Sequence, residues 1–187
     1  MQFKNAAIAA ATAATVAALP QITPVPEGGK FGLITIRSGS PIQNAGVQAV
    51  DSNLVVGAPS QNATCDRETN FATFFIQNEE LHLYSENEVL QTIFVDRSGM
   101  GMGNVGFRTG TENLGRNWET KGWALNDNQL EFKGTGFQAC PGALNGGWSL
   151  WLQGHPTPGW NQNCTGVSTA AIATEDPIAC TYHEYSA

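Results

Sequence analysis

Seven short runs rich in β-branched and aromatic residues, each bounded by Gly, Asn, Asp, Ser or Pro, constrain this chain more than any other feature. They are Phe31–Arg37, Leu54–Val56, Phe71–Ile76, Leu81–Tyr84, Thr92–Val95, Leu130–Lys133 and Trp148–Leu152. No stretch beyond position 18 places apolar residues at i, i+3, i+4 and i+7 over three turns, so helices for parallel crossovers are missing. Short strands without crossover helices must pair antiparallel. The expected fold is all-β: a single antiparallel β-sandwich or barrel-like domain. Within Leu81-His-Leu-Tyr84 the alternation predicts a half-buried strand with one pair facing inward. No internal repeat is evident.

The stretch Asp96-Arg-Ser-Gly-Met-Gly-Met-Gly-Asn104 invites a phosphate-binding reading, which fails on pattern. A P-loop needs G-x-x-x-x-G-K-[ST], and a dinucleotide loop needs a following helix; neither is present. Glycines at alternate positions instead permit the positive φ of a tight turn between strands.

The first 18 residues read as an export signal. Met1 and Lys4 make a positive start, Ala6–Ala18 a weakly apolar run, and Val16-Ala17-Ala18 a small-residue cleavage site. As a membrane anchor the run is too short, with 13 residues against the ~20 that a spanning helix needs. Residues 19–30 form a Pro/Gly-rich leader, and 31–187 the all-β domain. The C-terminus, ending Cys180-Thr-Tyr-His-Glu-Tyr-Ser-Ala187, lacks the apolar tail of a lipid-anchor signal, so release into the medium or wall is expected.

Export removes Lys4 from nine basic residues, leaving eight against 16 acidic ones, a formal charge of −8. That balance disfavours nucleic acid and anionic membrane surfaces, both of which select positive patches. Charged residues are only 13% of the chain, about half the usual share, and neutral polar residues fill the surface positions, which suits a sugar-rich matrix. Cys65, Cys140, Cys164 and Cys180 are an even set in an exported chain and predict two disulfides. Three pairings are open. The sequence favours a short C-terminal loop, Cys164 with Cys180, leaving Cys65 with Cys140. A metal site would need ligands at short regular spacing such as C-x-x-C, which is lacking.

Several blocks carry a resemblance. Ser60-Gln-Asn-Ala-Thr-Cys-Asp-Arg67, Ala72–Gln77, Leu81–Tyr84, Ile93-Phe-Val-Asp-Arg-Ser-Gly-Met-Gly101, Gly122-Trp123, Phe137-Gln-Ala-Cys-Pro141 and Gly147-Trp-Ser-Leu-Trp151 resemble the PhiA family of fungal cell-wall proteins. The likeness runs in order from about Phe31 to Tyr182. It implies a secreted, extracellular wall component of filamentous ascomycetes. The implied roles are wall structure, phialide and conidium development and stress protection, with allergen-like surface properties. It also implies no enzymatic activity, no catalytic residues and no cofactor. Partners would be cell-wall polysaccharide or other wall proteins. Only the four cysteines and the sequon at Asn62 carry over as sites. The sequence departs from the family pattern in its leader, in Met100-Gly-Met102 and in Pro156–Pro158.

Two N-glycosylation sequons are present, Asn62-Ala-Thr64 and Asn163-Cys-Thr165. Five tryptophans are many for this length, and flat aromatic faces can stack on sugar rings. Trp123 and Trp148 are assigned to the core, leaving Trp118, Trp151 and Trp160 as candidate glycan contacts. The competing class is a secreted carbohydrate-active or carbohydrate-binding protein. A glycosidase would draw its paired carboxylates from Glu79, Glu80, Glu131, Glu175 and Asp176. His82, His155 and His183 are far apart and no G-x-S-x-G elbow exists, so a hydrolase triad has no support. His82 reads as a sheet-face residue with a satisfied ring.

Overall fold

The computed structural model describes residues 23–110, 112 and 114–185; the export segment 1–18 and the start of the leader lie outside the described residues. Among the described residues fifteen strands are formed. In chain order they are β1 (Phe31–Ile36), β2 (Val47–Val50), β3 (Asn53–Val56), β4 (Thr64–Cys65), β5 (Thr73–Gln77), β6 (Glu80–Leu83), β7 (Gln91–Asp96) and β8 (Asn104–Thr109). There follow β9 (Trp118–Glu119), β10 (Trp123–Asn126), β11 (Gln129–Phe132), β12 (Phe137–Pro141), β13 (Trp148–Leu152), β14 (Thr165–Ala173) and β15 (Cys180–Thr181).

The order β1-β5-β6-β7-β8-β3-β13-β12-β14 closes on itself, because β14 pairs with β1 from Phe31↔Ala173 to Ile36↔Ser168. The result is a nine-stranded antiparallel barrel, which decides between the two expected architectures and leaves the wall without open edges. Three hairpins, at Asp51-Ser52, Asn78-Glu79 and Asp127-Asn128, turn in two residues that both have positive φ. That geometry matches the right-handed twist of the flanking strands and suits Asn and Asp.

Alternation sets what faces inward. Phe31, Leu33 and Thr35 of β1, Leu81 and Leu83 of β6, Ile93 and Val95 of β7, and Val105 and Phe107 of β8 are all buried, and their apolar members belong to one continuous core. The β10–β11 hairpin hangs from β14 through Gln129↔Ala170 and supplies Trp123 to that core, its ring 4.9 Å from Phe132 and stacked 6.0 Å from Phe137. A remnant of about 10 Å³ is left between Leu33, Trp123, Phe137 and Leu150. The barrel is filled by side chains and is not a lumen.

Eight of the fifteen strands carried no sequence signal. The longest, β14, reads Thr-Gly-Val-Ser-Thr-Ala-Ala-Ile-Ala, poor in the residues that favour isolated strands. Its conformation is imposed by partners: β1, β11 and β12 all pair with it, and Ala170 and Ala171 are small enough to be wholly covered.

The expected disulfide pairing is corrected. The bonds are Cys65–Cys180 and Cys140–Cys164, and none of the four cysteines is free. Cys164 and Cys180 flank β14, nine residues of extended chain, so at about 3.3 Å per residue they are held far apart however close they lie in sequence. The register instead sets Cys180 opposite Cys65 in the β4–β15 pair, while the pairing of Ala139 with Thr165 brings the neighbouring cysteines 140 and 164 together. Beyond the first bond the tail runs on into the core. Tyr182 is buried against Phe107, its backbone N–H donates to Gln91 Oε1 (3.1 Å), and its carbonyl accepts from Gln91 Nε2 (2.8 Å).

The glycine-rich stretch is the β7–β8 turn, as its pattern predicts. Asp96 Oδ1 accepts from the Ser98 N–H (2.9 Å), and a Cβ at Gly101 would fall 2.1 Å from the Asp96 carboxyl carbon. Gly103 has φ 87° and sits against the Leu152 carbonyl. Gly103 therefore requires glycine, whereas a side chain at Gly101 would have to displace the Asp96 carboxyl.

Candidate functional site

With the interior filled, ligands can be met only on the outer wall, and the tryptophans divide there according to what covers them. Trp118 stacks flat on Phe94, with centroids 3.8 Å apart and planes within 1°, and Gly115 lies against the same indole. The Arg108 guanidinium is 5.5 Å from its ring centre. Its faces are thus taken by the protein. Trp148 packs at the margin of the core, and Trp123 is wholly inside it.

The loop that carries Trp160 packs on Trp151. On β13, Leu150 and Leu152 point inward, so Ser149 and Trp151 point out, and Trp151 Nε1 donates to Ser149 Oγ (2.8 Å). A single helical turn, Pro158–Trp160, rests on this indole: a Cβ at Gly159 would be 2.6 Å from Trp151 Cη2, so only glycine allows the approach. Trp160, next in the chain, is 69% exposed and has φ 61°. The left-handed region is costly for a bulky L-residue, by about 1–2 kcal/mol, and the loop holds it there through Asn161 Nδ2, which donates to the Pro158 carbonyl (2.8 Å). The Cys140–Cys164 bond anchors the far end of the same loop to β12. The outcome is an exposed indole on a rigid support, with exposed His155 and Pro156 earlier in the same loop.

Both sequons lie in exposed turns, Asn62 with φ 51° and Asn163 with φ 59°. Asn62 lies two residues before β4, the segment tied by Cys65; Asn163 adjoins Cys164, at the edge of the Trp160 loop.

The carboxylates that a glycosidase would need are dispersed. Glu80 is on β6, Glu131 on β11, and Glu175 and Asp176 are in the turn after β14, where Asp176 pairs with Arg67 (2.7 Å). Glu119 is a structural hub: Arg97 grips it with two bonds of 2.7 and 2.8 Å and Lys133 adds a third, so its pKa falls to about 2, chiefly through the Arg97 hydrogen bond. Among the described residues no three His, Cys, Asp or Glu side chains are arranged to hold a metal ion, and no helix is long and apolar enough to cross a membrane.

Two outer-wall grooves had no sequence signal. One, of about 430 Å³, runs over Gly32, Ile34 and Gly46 beneath Phe71, which was expected to lie in a strand but sits 44% exposed in the bend before β5. The other, of about 440 Å³, lies over β6 and β7 and contains Glu80, His82 and Glu88. Their residues come together only through strand register and loop packing.

Comparison with known proteins places this geometry in context. The family model described as PhiA-like secreted protein matches residues 31–183. The chain is 40% identical over 185 residues to "Cell wall protein phiA" of Aspergillus niger, covering 97% of this chain and 98% of that protein. To the protein of the same name in Aspergillus fumigatus it is 40% identical over 185 residues (97% and 99%), and to that of Emericella nidulans 41% over 186 residues (97% and 99%). No solved structure matches the chain.

Proposed function

This chain belongs to the family of PhiA-like secreted proteins, and we propose that it works in the wall without catalysis, as a rigid body that associates with wall polysaccharide or other wall proteins through its outer face. It is a secreted protein of the fungal cell wall. The observation that carries the proposal is the filled barrel: the core side chains close around a remnant of about 10 Å³ beside Trp123, too small for a sugar, while two cystines and a closed wall make the exterior stiff. Trp160, displayed on a loop whose Gly159 packs on Trp151, is the favoured sugar contact, since an exposed indole can stack on the CH face of a pyranose at little entropic cost. Trp118 is left out because its faces are occupied. Asn62 and Asn163 would carry N-glycans, which their exposed turns support. By family, the developmental contribution is to wall structure, to phialide and conidium formation and to stress protection.

The test is incubation of purified mature protein with washed fungal walls, β-glucan and chitin, measuring retention and soluble sugar. Retention without sugar release, weakened by Trp160→Ala, is expected. Release of reducing ends that disappears on mutating Glu80, Glu131 or Glu175 would establish the enzymatic alternative instead. Intact mass before and after deglycosylation reads occupancy of the two sequons.

A further inference from the structure

The groove over β6 and β7 has the makings of a second ligand site. Leu81 and Leu83 point into the core, so Glu80 and His82 face outward, and His82 lies opposite Thr92 of β7. Although it is on the outer wall, His82 is only 4% exposed, and Val89, Leu90 and Leu114 line the groove around it. Its ring packs on Phe75 at 5.1 Å and its Nδ1 is 3.1 Å from Thr92 Oγ1. Nε2 has no partner among the described residues, and the side chain lines the groove. Left open to the groove, that nitrogen can bond an occupant.

The lining defines that occupant. Burial pushes the His82 pKa down, against the pull of Glu80, which favours the neutral ring, whose Nε2 either donates or accepts according to tautomer. A hydroxyl satisfies both cases. Glu80 uses one oxygen to accept from Thr120 Oγ1 (2.6 Å), and Glu88 and Asn78 stand along the same groove. Among the described residues no Lys or Arg lines it, which disfavours anions. Exposed Val89 and Leu90 add an apolar flank beside these acceptors. Hydroxyl edges with an apolar CH face are the chemistry of a pyranose, and about 440 Å³ is within the range of small-ligand sites.

We propose that the groove lined by Glu80, His82 and Glu88 binds a neutral hexopyranose unit of wall polysaccharide, as a site separate from Trp160. The proposal rests on the reading of this chain as a wall-associated protein. It is tested by calorimetric titration of the full mature protein with laminarihexaose and with chitohexaose, the two arms separating a glucan from a chitin source. Binding of at least one hexamer is expected, weakened tenfold or more by Glu88→Ala or by Leu90→Trp, which fills the groove, and less than twofold by Trp160→Ala. Both groove substitutions are on the exposed rim and spare the core; His82→Leu, checked for a native melting curve, should abolish the same binding. The idea is overturned if neither hexamer binds at millimolar concentration, or if binding survives both rim variants. Retention on washed walls keeps the two readings apart. Wild-type protein that is held by walls but indifferent to the groove variants refutes the groove alone, whereas protein that walls do not hold refutes wall association itself.

Discussion

Removing the Cys65–Cys180 bond should cost more than removing Cys140–Cys164, and the difference follows from chain length. The first bond closes 115 residues and the second 24. With a loop-closure entropy of about −2.1 − 1.5R ln n cal/mol/K, the first restricts the unfolded chain by about 4.8 kcal/mol at 25 °C and the second by about 3.4 kcal/mol. In urea, at roughly 2 kcal/mol/M for a domain of this size, these become midpoint shifts of about 2.4 M and about 1.7 M. The comparison is Cys65→Ala/Cys180→Ala against Cys140→Ala/Cys164→Ala, unfolded in urea and followed by tryptophan fluorescence, with Trp123 reporting on the core. Both double variants should keep the native spectrum without urea, because Tyr182 remains tied to Gln91 and the wall strands remain paired. A larger shift for the 140–164 pair, or a shift under about 0.5 M for the 65–180 pair, would refute the view that these bonds act by restricting the unfolded chain.

Glu119→Gln should lose about 1–2 kcal/mol at pH 7, less than a pKa of about 2 alone would imply, because the carboxyl is 30% exposed and solvent screens it. Since the folded pKa is depressed, this stabilisation is full above the unfolded value near 4.5 and disappears as pH falls towards 2; the gap between wild type and variant in urea midpoints should close over that range. Gln91→Leu strands the backbone N–H and carbonyl of Tyr182 and should cost about 2–4 kcal/mol, with faster amide exchange at Tyr182 than at core strand positions such as Ile93. Gly101→Ala forces a Cβ into the Asp96 carboxyl and should lower stability by about 1–3 kcal/mol; Asp96→Ala in the same background should recover part of the loss in thermal melts.

Local patterns were legible where a residue's neighbours in sequence are also its neighbours in space. The inward face of Leu81 and Leu83 and the turn after Asp96 both follow from a few consecutive residues, and both stand as expected. The same reasoning extended to Phe71 fails: it belongs to an apolar run, yet the strand begins at Thr73 and leaves the ring over Gly32 and Gly46. Strand β14 was illegible because alanines and glycines acquire extended structure only when flanked by other strands.

The residue sequence by itself settled the class of the protein: alternating apolar runs without helical period make antiparallel strands, and four cysteines in an exported chain make two bonds. Which cysteines meet, whether the sheet closes, which indole is left bare and which carboxylates share a groove were decided only by the tertiary structure. The reason is that strand register joins residues a hundred positions apart. Cys65 faces Cys180, and Tyr182 is held by Gln91, through ladders and contacts whose partners no local pattern specifies.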